Sequence, residues 1–244
     1  FNFVDRNLLI AFAPQIKSEF NLTNVQWGLL TGVYFLFFYS VFGIFMGVLG
    51  DKFSRMKIAA AGVFLWSLMT AFTGVAKNFS HLIVARALIG VGESALTPNA
   101  ISMLSDLFKQ NQRGTASAIY YLGIPLGVGF GMLIAAFFGP AYGWRSVFIT
   151  LGLIGMGLGI LTYFLLEPRR GQLDISFDED NKSTSIRDII SMTKHALYNS
   201  KCLTFVIIGS IFLHIPLGAG NFEVLWAVNE RGFTASSYNS LFGI

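Results

Sequence analysis

Four ionisable side chains stand inside stretches of this sequence that are otherwise apolar: Asp5 and Arg6 near one end, Arg86 and Glu93 further along. Charges in such surroundings are expensive, so each is a functional candidate by default. Carboxylates there can take up and release protons, and arginines can meet an anion or hold a carboxylate charged. Arg86 and Glu93 are seven residues apart, so on a helix they share one face at about 10 Å. Asn2 joins Asp5 on a face at i, i+3. Asp5 and Arg6 point about 100° apart and serve different neighbours. A purely structural role, in which the four groups only tie helices together, is the alternative. His81, His195, His214 and the single Cys202 are too scattered for a metal site or a disulfide framework, and no nucleophile–base pair or phosphate loop is present. Accordingly, no cofactor and no metal is expected, and no enzyme. His214 beside Pro216 reads as a packed histidine, and Glu223 lies near a span end where headgroups could solvate it.

The elements that carry these groups follow from composition. Apolar residues make up 54% of the chain and charged residues 12%, with 25 Phe and 26 Gly. A soluble domain carries about a quarter charged residues, so an all-α integral membrane protein is expected. Stretches of about 20 apolar residues mark spans: Phe1 to Phe20, Gln26–Leu49, Ile58–Ala76, His81–Leu104, Gly114–Phe138, Arg145–Leu166 and Cys202–Val228, with an eighth starting near Ser236. One set of loops holds Lys52, Arg55, Lys57, Lys109, Arg113, Arg169, Arg170, Lys182, Arg187, Lys194 and Lys201. The opposite set holds Lys17, Lys77, Arg145 and Arg231, so the first set is cytoplasmic. The net charge of +4 is therefore topology and not a nucleic-acid footprint. Three regions result: a six-helix bundle over residues 1–166, a polar cytoplasmic linker over 167–201, and the start of a second bundle over 202–244. Within the linker, Ser185–Asn199 has the spacing of an amphipathic surface helix, or is plain linker. Asn21-Leu22-Thr23 and Asn78-Phe79-Ser80 fit glycosylation acceptors, but very short loops favour a bacterial inner membrane.

Glycine and proline supply packing and hinges. Gly123, Gly127 and Gly131 recur every four residues, a stripe that admits a close neighbour. Pro125 frees the carbonyl of Tyr121, and Pro98 that of Ser94.

Between the second and third spans the chain reads Gly47-Val48-Leu49-Gly50-Asp51-Lys52-Phe53-Ser54-Arg55-Met56-Lys57. This resembles the signature cytoplasmic loop of the major facilitator superfamily, with Ser54 in place of the commoner Gly. Arg86-x-x-Ile89-Gly90-Val91-Gly92-Glu93, the loop from Asp106 to Gly114, and Gly143-Trp144-Arg145 extend the match. Asn2-Phe3-Val4-Asp5-Arg6, Ile124-Pro125-Leu126-Gly127-Val128-Gly129 and Glu167-Pro168-Arg169-Arg170-Gly171 are most similar to the Spinster-like family. The resemblance implies a secondary transporter working by alternating access, expected as a monomer in the bilayer. Its solute would be lipid-like or amphipathic, such as a lysolipid, and protons would drive it. Asp5 and Glu93 are the expected proton carriers, with Arg6, Arg86 and Asn2 as substrate or charge partners. Gly47, Asp51, Arg55 and Arg113 would form a conformational latch. Sugar-acid symporters of the same superfamily share Asp-Arg and Gly-x-Gly-Glu and are the alternative. A seven-helix receptor is disfavoured, because the chain opens inside an apolar pattern and stops as a new one begins. Such ends suit a portion of a twelve-helix transporter.

Overall fold

The computed structural model describes residues 1–171, 191, 194–195, 198–214 and 216–243. Regular structure among them is entirely helical. In order these are α1 (Asn2–Ala11), α2 (Ala13–Glu19), α3 (Asn24–Gly28), α4 (Tyr34–Lys52), α5 (Arg55–Gly74), α6 (Phe79–Ser94), α7 (Leu96–Leu107), α8 (Arg113–Tyr121), α9 (Gly123–Tyr163), α10 (Lys201–His214), α11 (Glu223–Arg231) and α12 (Ala235–Phe242). The helix starts are written locally. Thr23 accepts from the Gln26 amide while the Gln26 side chain accepts from the Thr23 amide, a capping box. Ser54 and Asn78 cap α5 and α6 in the simpler one-way manner.

Prolines set the breaks. Helices α6 and α7 form one apolar rod interrupted at Ala95, next to the Ser94 carbonyl that Pro98 cannot bond. The same relation holds at Leu122, between α8 and α9, where Pro125 frees Tyr121. The rod Arg113–Tyr163 has 51 residues, which if straight would reach about 76 Å, more than twice a hydrocarbon core. It instead reverses at Gly143, whose φ of 74° is open to glycine. Two spans result, matching the expected fifth and sixth.

The expected seventh span, Cys202–Val228, is not one helix. A 3₁₀ segment, Pro216–Phe222, separates α10 from α11. Pro216 cannot continue the α ladder, and Gly218 and Gly220 lower the helix propensity beyond it. The amphipathic stretch read at Ser185–Asn199 lies for the most part outside the described residues.

Small residues decide which rods meet. A Cβ at Gly152 would fall 2.6 Å from the Ser67 carbonyl, and one at Gly62 would fall 2.6 Å from the Gly92 carbonyl. Backbones of α9 and α5, and of α5 and α6, are therefore in direct contact. On the opposite side of α6, Gly90 lies against the Phe35 carbonyl of α4. Helix α1 packs into α9 at Gly127 and Gly131, where added Cβ atoms would sit 2.6 Å from Phe3 and 3.0 Å from the Val4 carbonyl. Gly123, the third member of the expected stripe, meets nothing within 4 Å. It lies one turn beyond the start of α1 and borders a cavity instead.

At the end read as non-cytoplasmic, Arg145 ties the ends of α2 and α5 to its own helix. It donates to Glu19 after α2 and to the carbonyls of Gly74 (3.0 Å) and Ala76 (2.7 Å) after α5. Trp144 donates its indole N–H to the other Glu19 oxygen at 2.9 Å. This accounts for Gly143-Trp144-Arg145: a turn, then two donors. The Arg145 bonds above all, with the indole beside them, hold the Glu19 carboxyl below its ordinary range. Helices from the 202–244 region close the same end. Trp27 donates to the Asn221 carbonyl at 2.9 Å, and Asn239 to the Ala11 carbonyl at 3.1 Å.

Candidate functional site

The side chains of Asp5 and Arg6 leave α1 in different directions, as one residue of helix requires. Asp5, 1% exposed, points at α5, where its Oδ2 lies 3.4 Å from the Thr70 hydroxyl. Arg6 points at α6 and donates from Nε to Glu93 Oε2 at 2.6 Å. Glu93 is fully buried and Arg86 nearly so. The partner of Glu93 is therefore Arg6 on another helix, not Arg86 on its own, since an i, i+7 pair on one helix is too far apart for contact.

Two aromatic residues complete the cluster without having been legible beforehand. The Arg6 guanidinium carbon lies 4.4 Å from the Phe35 ring centre and 5.1 Å from that of Tyr39, with Phe3 at 5.0 Å. Arg86 lies 5.5 Å from Phe35 on the same ring. Phe35 thus serves two arginines, an arrangement in which a ring quadrupole replaces part of the lost hydration. The signal available in sequence was only the i, i+4 pair Phe35 and Tyr39 within a Phe-rich run.

Five buried polar atoms in this region have no protein partner: Asp5 Oδ1, Trp66 Nε1, Ser67 Oγ, Arg86 Nε and Glu93 Oε1. They belong to α1, α5 and α6. A bundle held together only by ion pairs would satisfy such atoms, and clustered orphans of this kind call for a functional explanation. Beside them lies a cavity of about 280 Å³ bordered by Asn2, Arg6, Tyr39, Thr97, Tyr120 and Tyr121. It presents one cation among hydroxyls and rings, suited to an anionic head with an apolar body. Asn2 borders this cavity with Arg6, while Asp5 stands behind them against α5.

The basic turn between α4 and α5 is organised around Arg55. Arg55 is 3% exposed and donates to Asp106, to Ser102 at 2.8 Å, to Glu167 at 3.1 Å and to the Pro168 carbonyl at 3.1 Å. Burial acts on the Glu167 carboxyl most strongly and pushes it up, but bonds from Ser54 and Arg55 outweigh that and hold it low. Arg170 caps the end of α4 by donating to the carbonyls of Gly50, Asp51 and Phe53. The buried acid of this network is Asp106, whereas the Asp51 side chain is exposed. Arg113 donates to the Phe108 carbonyl at 3.2 Å. The close glycine is Gly50, against Asn99; Gly47 meets nothing within 4 Å. Pro98 and Gly47 border a separate cavity near Asp51. Glu223 lies in the outer contact, hydrogen-bonded with Tyr238 of α12, away from the central cluster. No group of three or more metal-ligating side chains occurs among the described residues.

Span-length apolar rods, reversed by short turns and carrying a buried cluster of opposite charges beside a cavity, define a polytopic membrane transporter. The chain belongs to the Major Facilitator Superfamily, whose sequence profile matches residues 1–244. It is 32% identical over 177 residues to the sphingosine-1-phosphate transporter SPNS2 of Danio rerio, covering 71% of this chain and 35% of that protein. A probable L-galactonate transporter of Escherichia coli is 30% identical over 168 residues, covering 69% of this chain and 37% of that one. Among solved structures, a bacterial homolog of the human lysosomal transporter Spinster, inward-facing and unoccupied, superposes with a TM-score of 0.85. Its identity is 25%, over 99% of this chain and 56% of that one. The chain spans little more than a third of the length of the two relatives named. Membership of this family sets it among membrane transporters and apart from enzymes, and Spinster-like proteins are among those it resembles.

Proposed function

We propose that the chain supplies the first six-helix bundle, the linker and the opening helices of the second bundle of a proton-coupled secondary transporter. The boundaries follow the span pattern: 1–166, 167–201 and 202–244. The solute is an amphipathic organic anion of the lysolipid type, moved by alternating access. The carrying observation is the buried Arg6–Glu93 pair at the edge of the cavity, with an Asp5 oxygen and a Glu93 oxygen left unpartnered. An arginine that pairs with a carboxylate in one state can pair with a substrate anion in another, provided the carboxylate is then protonated. Protonation of Glu93 releases Arg6 toward the cavity. Asp5, adjacent in sequence but facing α5, serves as a second proton carrier. Arg86 stabilises whichever of the two is charged. Contacts between the two regions at the end read as non-cytoplasmic support an inward-facing arrangement.

A sugar acid is the second reading, favoured by the likeness to the probable L-galactonate transporter. It presents the same anion to Arg6 without the apolar body. Reconstitution of the transporter that carries this chain separates the two. Uptake of a lysophospholipid and of L-galactonate is measured with and without an imposed pH gradient, for the parent and for Asp5→Asn. Gradient-driven uptake of the lysolipid, lost in Asp5→Asn while counterflow persists, is the expected result. Accumulation by Asp5→Asn with the parent's pH dependence would remove Asp5 from the proton path.

A further inference from the structure

The hydroxyl within hydrogen-bond distance of Asp5 has one hydrogen and two oxygens to serve. Thr70 Oγ1 donates to the Trp66 carbonyl one turn back on α5 at 2.9 Å, and lies 3.4 Å from Asp5 Oδ2. Thr70 is fully buried and Asp5 is 1% exposed, so bulk water does not compete at either atom. A hydroxyl has one hydrogen and two lone pairs. With the hydrogen on the shorter bond, what faces Asp5 is a lone pair. An ionised carboxylate is acceptor-only and finds no donor there, whereas a protonated carboxyl has the hydrogen that Thr70 lacks.

We infer that Thr70 is a positioning residue for the proton of Asp5, a hydroxyl held on the Trp66 carbonyl so that it accepts from the neutral carboxyl and offers the ionised one no donor. The inference rests on Asp5 as a coupling carboxylate and adds the group that sets its protonation. In the protonated state Asp5 Oδ2–H donates to Thr70 Oγ1, and Thr70 donates to the Trp66 carbonyl, a continuous chain of donors. Release of that proton requires a conformation in which water reaches Asp5, because neither atom is exposed here. Thr70 keeps its hydrogen on the Trp66 carbonyl, so the ionised Asp5 gains no donor from it.

The other groups around Asp5 do not duplicate this role. From α6, Glu93 and Arg86 act on it by charge, with opposite signs. Arg6 is turned to Glu93, and α4 brings Tyr39 to Arg6. Helix α9 faces α1 with Gly127 and Gly131. Helix α11 meets α1 further out, where Val224 and Ala227 pack on Ile10. The hydroxyl of Thr70 is the neutral hydrogen-bonding group within reach.

The sign of its effect is what tests it. Infrared spectra of the reconstituted transporter, titrated from about pH 4 to 9 without substrate, follow the C=O stretch of protonated Asp5, assigned by its loss in Asp5→Asn. If Thr70 accepts, Thr70→Val removes a partner of the neutral form only. The band is then expected to move to higher frequency, and its titration midpoint to lower pH by about half a unit to one unit. Thr70→Ser keeps a hydroxyl at the same place and is expected to restore both. Thr70→Ala serves as a second variant if valine disturbs packing. A midpoint that stays in place, or that rises because Thr70 was a donor to the anion, overturns the inference. So does an Asp5 band that never titrates. Because no substrate is present, these outcomes are read separately from Asp5→Asn uptake, which tests the coupling role itself.

Discussion

Ser236 donates its hydroxyl to the carbonyl of Ala136 at 2.9 Å, and Ala136 is the residue that Pro140, four positions on in α9, leaves without a helical donor. A side chain from one region of the protein thereby satisfies a carbonyl freed in another. Asn239, one turn further along α12, does the same for the Ala11 carbonyl at the α1–α2 break. Helix α12 thus docks on two helix interruptions, where unpaired carbonyls would otherwise face lipid or protein interior.

These bonds should hold the non-cytoplasmic side closed. Ser236→Ala and Asn239→Ala are each expected to raise outer accessibility about fivefold, the equivalent of about 1 kcal/mol per hydrogen bond. A cysteine placed at Gly28, which packs on Phe222, reports this by its labelling rate with an impermeant maleimide after Cys202→Ser. Unchanged rates in the double variant would show that closure rests on apolar packing alone.

The basic turn offers a contrast between two acids. Removing the buried partner of Arg55 in Asp106→Asn leaves the cation with only the more exposed Glu167 carboxylate and should destabilise by about 2 kcal/mol. Asp51→Asn, at an exposed side chain, should change thermal stability by about 0.5 kcal/mol at most. Denaturation in detergent measures both. Equal effects would return Asp51 to the centre of the network.

Glycines that look equivalent in sequence should differ in tolerance. Gly127→Leu drives a side chain into Phe3 and is expected to abolish transport even where the protein inserts. Gly123→Leu meets open space and should retain assembly. Thermal stability and uptake of the two variants are compared side by side. Loss of assembly in Gly123→Leu would mean that a neighbour covers it.

The outer clamp should respond to acid. Bonds from Arg145, then Trp144, hold the Glu19 carboxyl below its ordinary value near 4.5. A depressed carboxylate contributes stability fully above that ordinary value, and the contribution is lost as pH falls through the depressed one. The thermal midpoint should therefore fall on acidification below about pH 4.5 more steeply in the parent than in Glu19→Gln. Parallel curves would place the acid sensitivity elsewhere.

Hydropathy was sufficient to find the long apolar rods, and proline positions the breaks after Ser94 and Tyr121, because each depends on the chemistry of one segment. The buried charges were legible for the same reason: Asp5, Arg6, Arg86 and Glu93 violate the composition of their own helices. Helical periodicity also separated Asp5 from Arg6 by direction. It could not say what either would meet. That Glu93 takes Arg6 and leaves Arg86 over Phe35, that Asp106 rather than Asp51 receives Arg55, and that Gly50 and Gly127 are contacts while Gly47 and Gly123 are not, depend on how helices far apart in sequence cross and at what depth. A helix fixes the angle between its own side chains, but its rotation and height against a neighbour are set by long-range backbone packing through Gly62, Gly90, Gly92 and Gly152. The Pro216 break had its residues in plain view, yet apolar composition alone read straight through it. Only the folded chain shows where the α ladder stops.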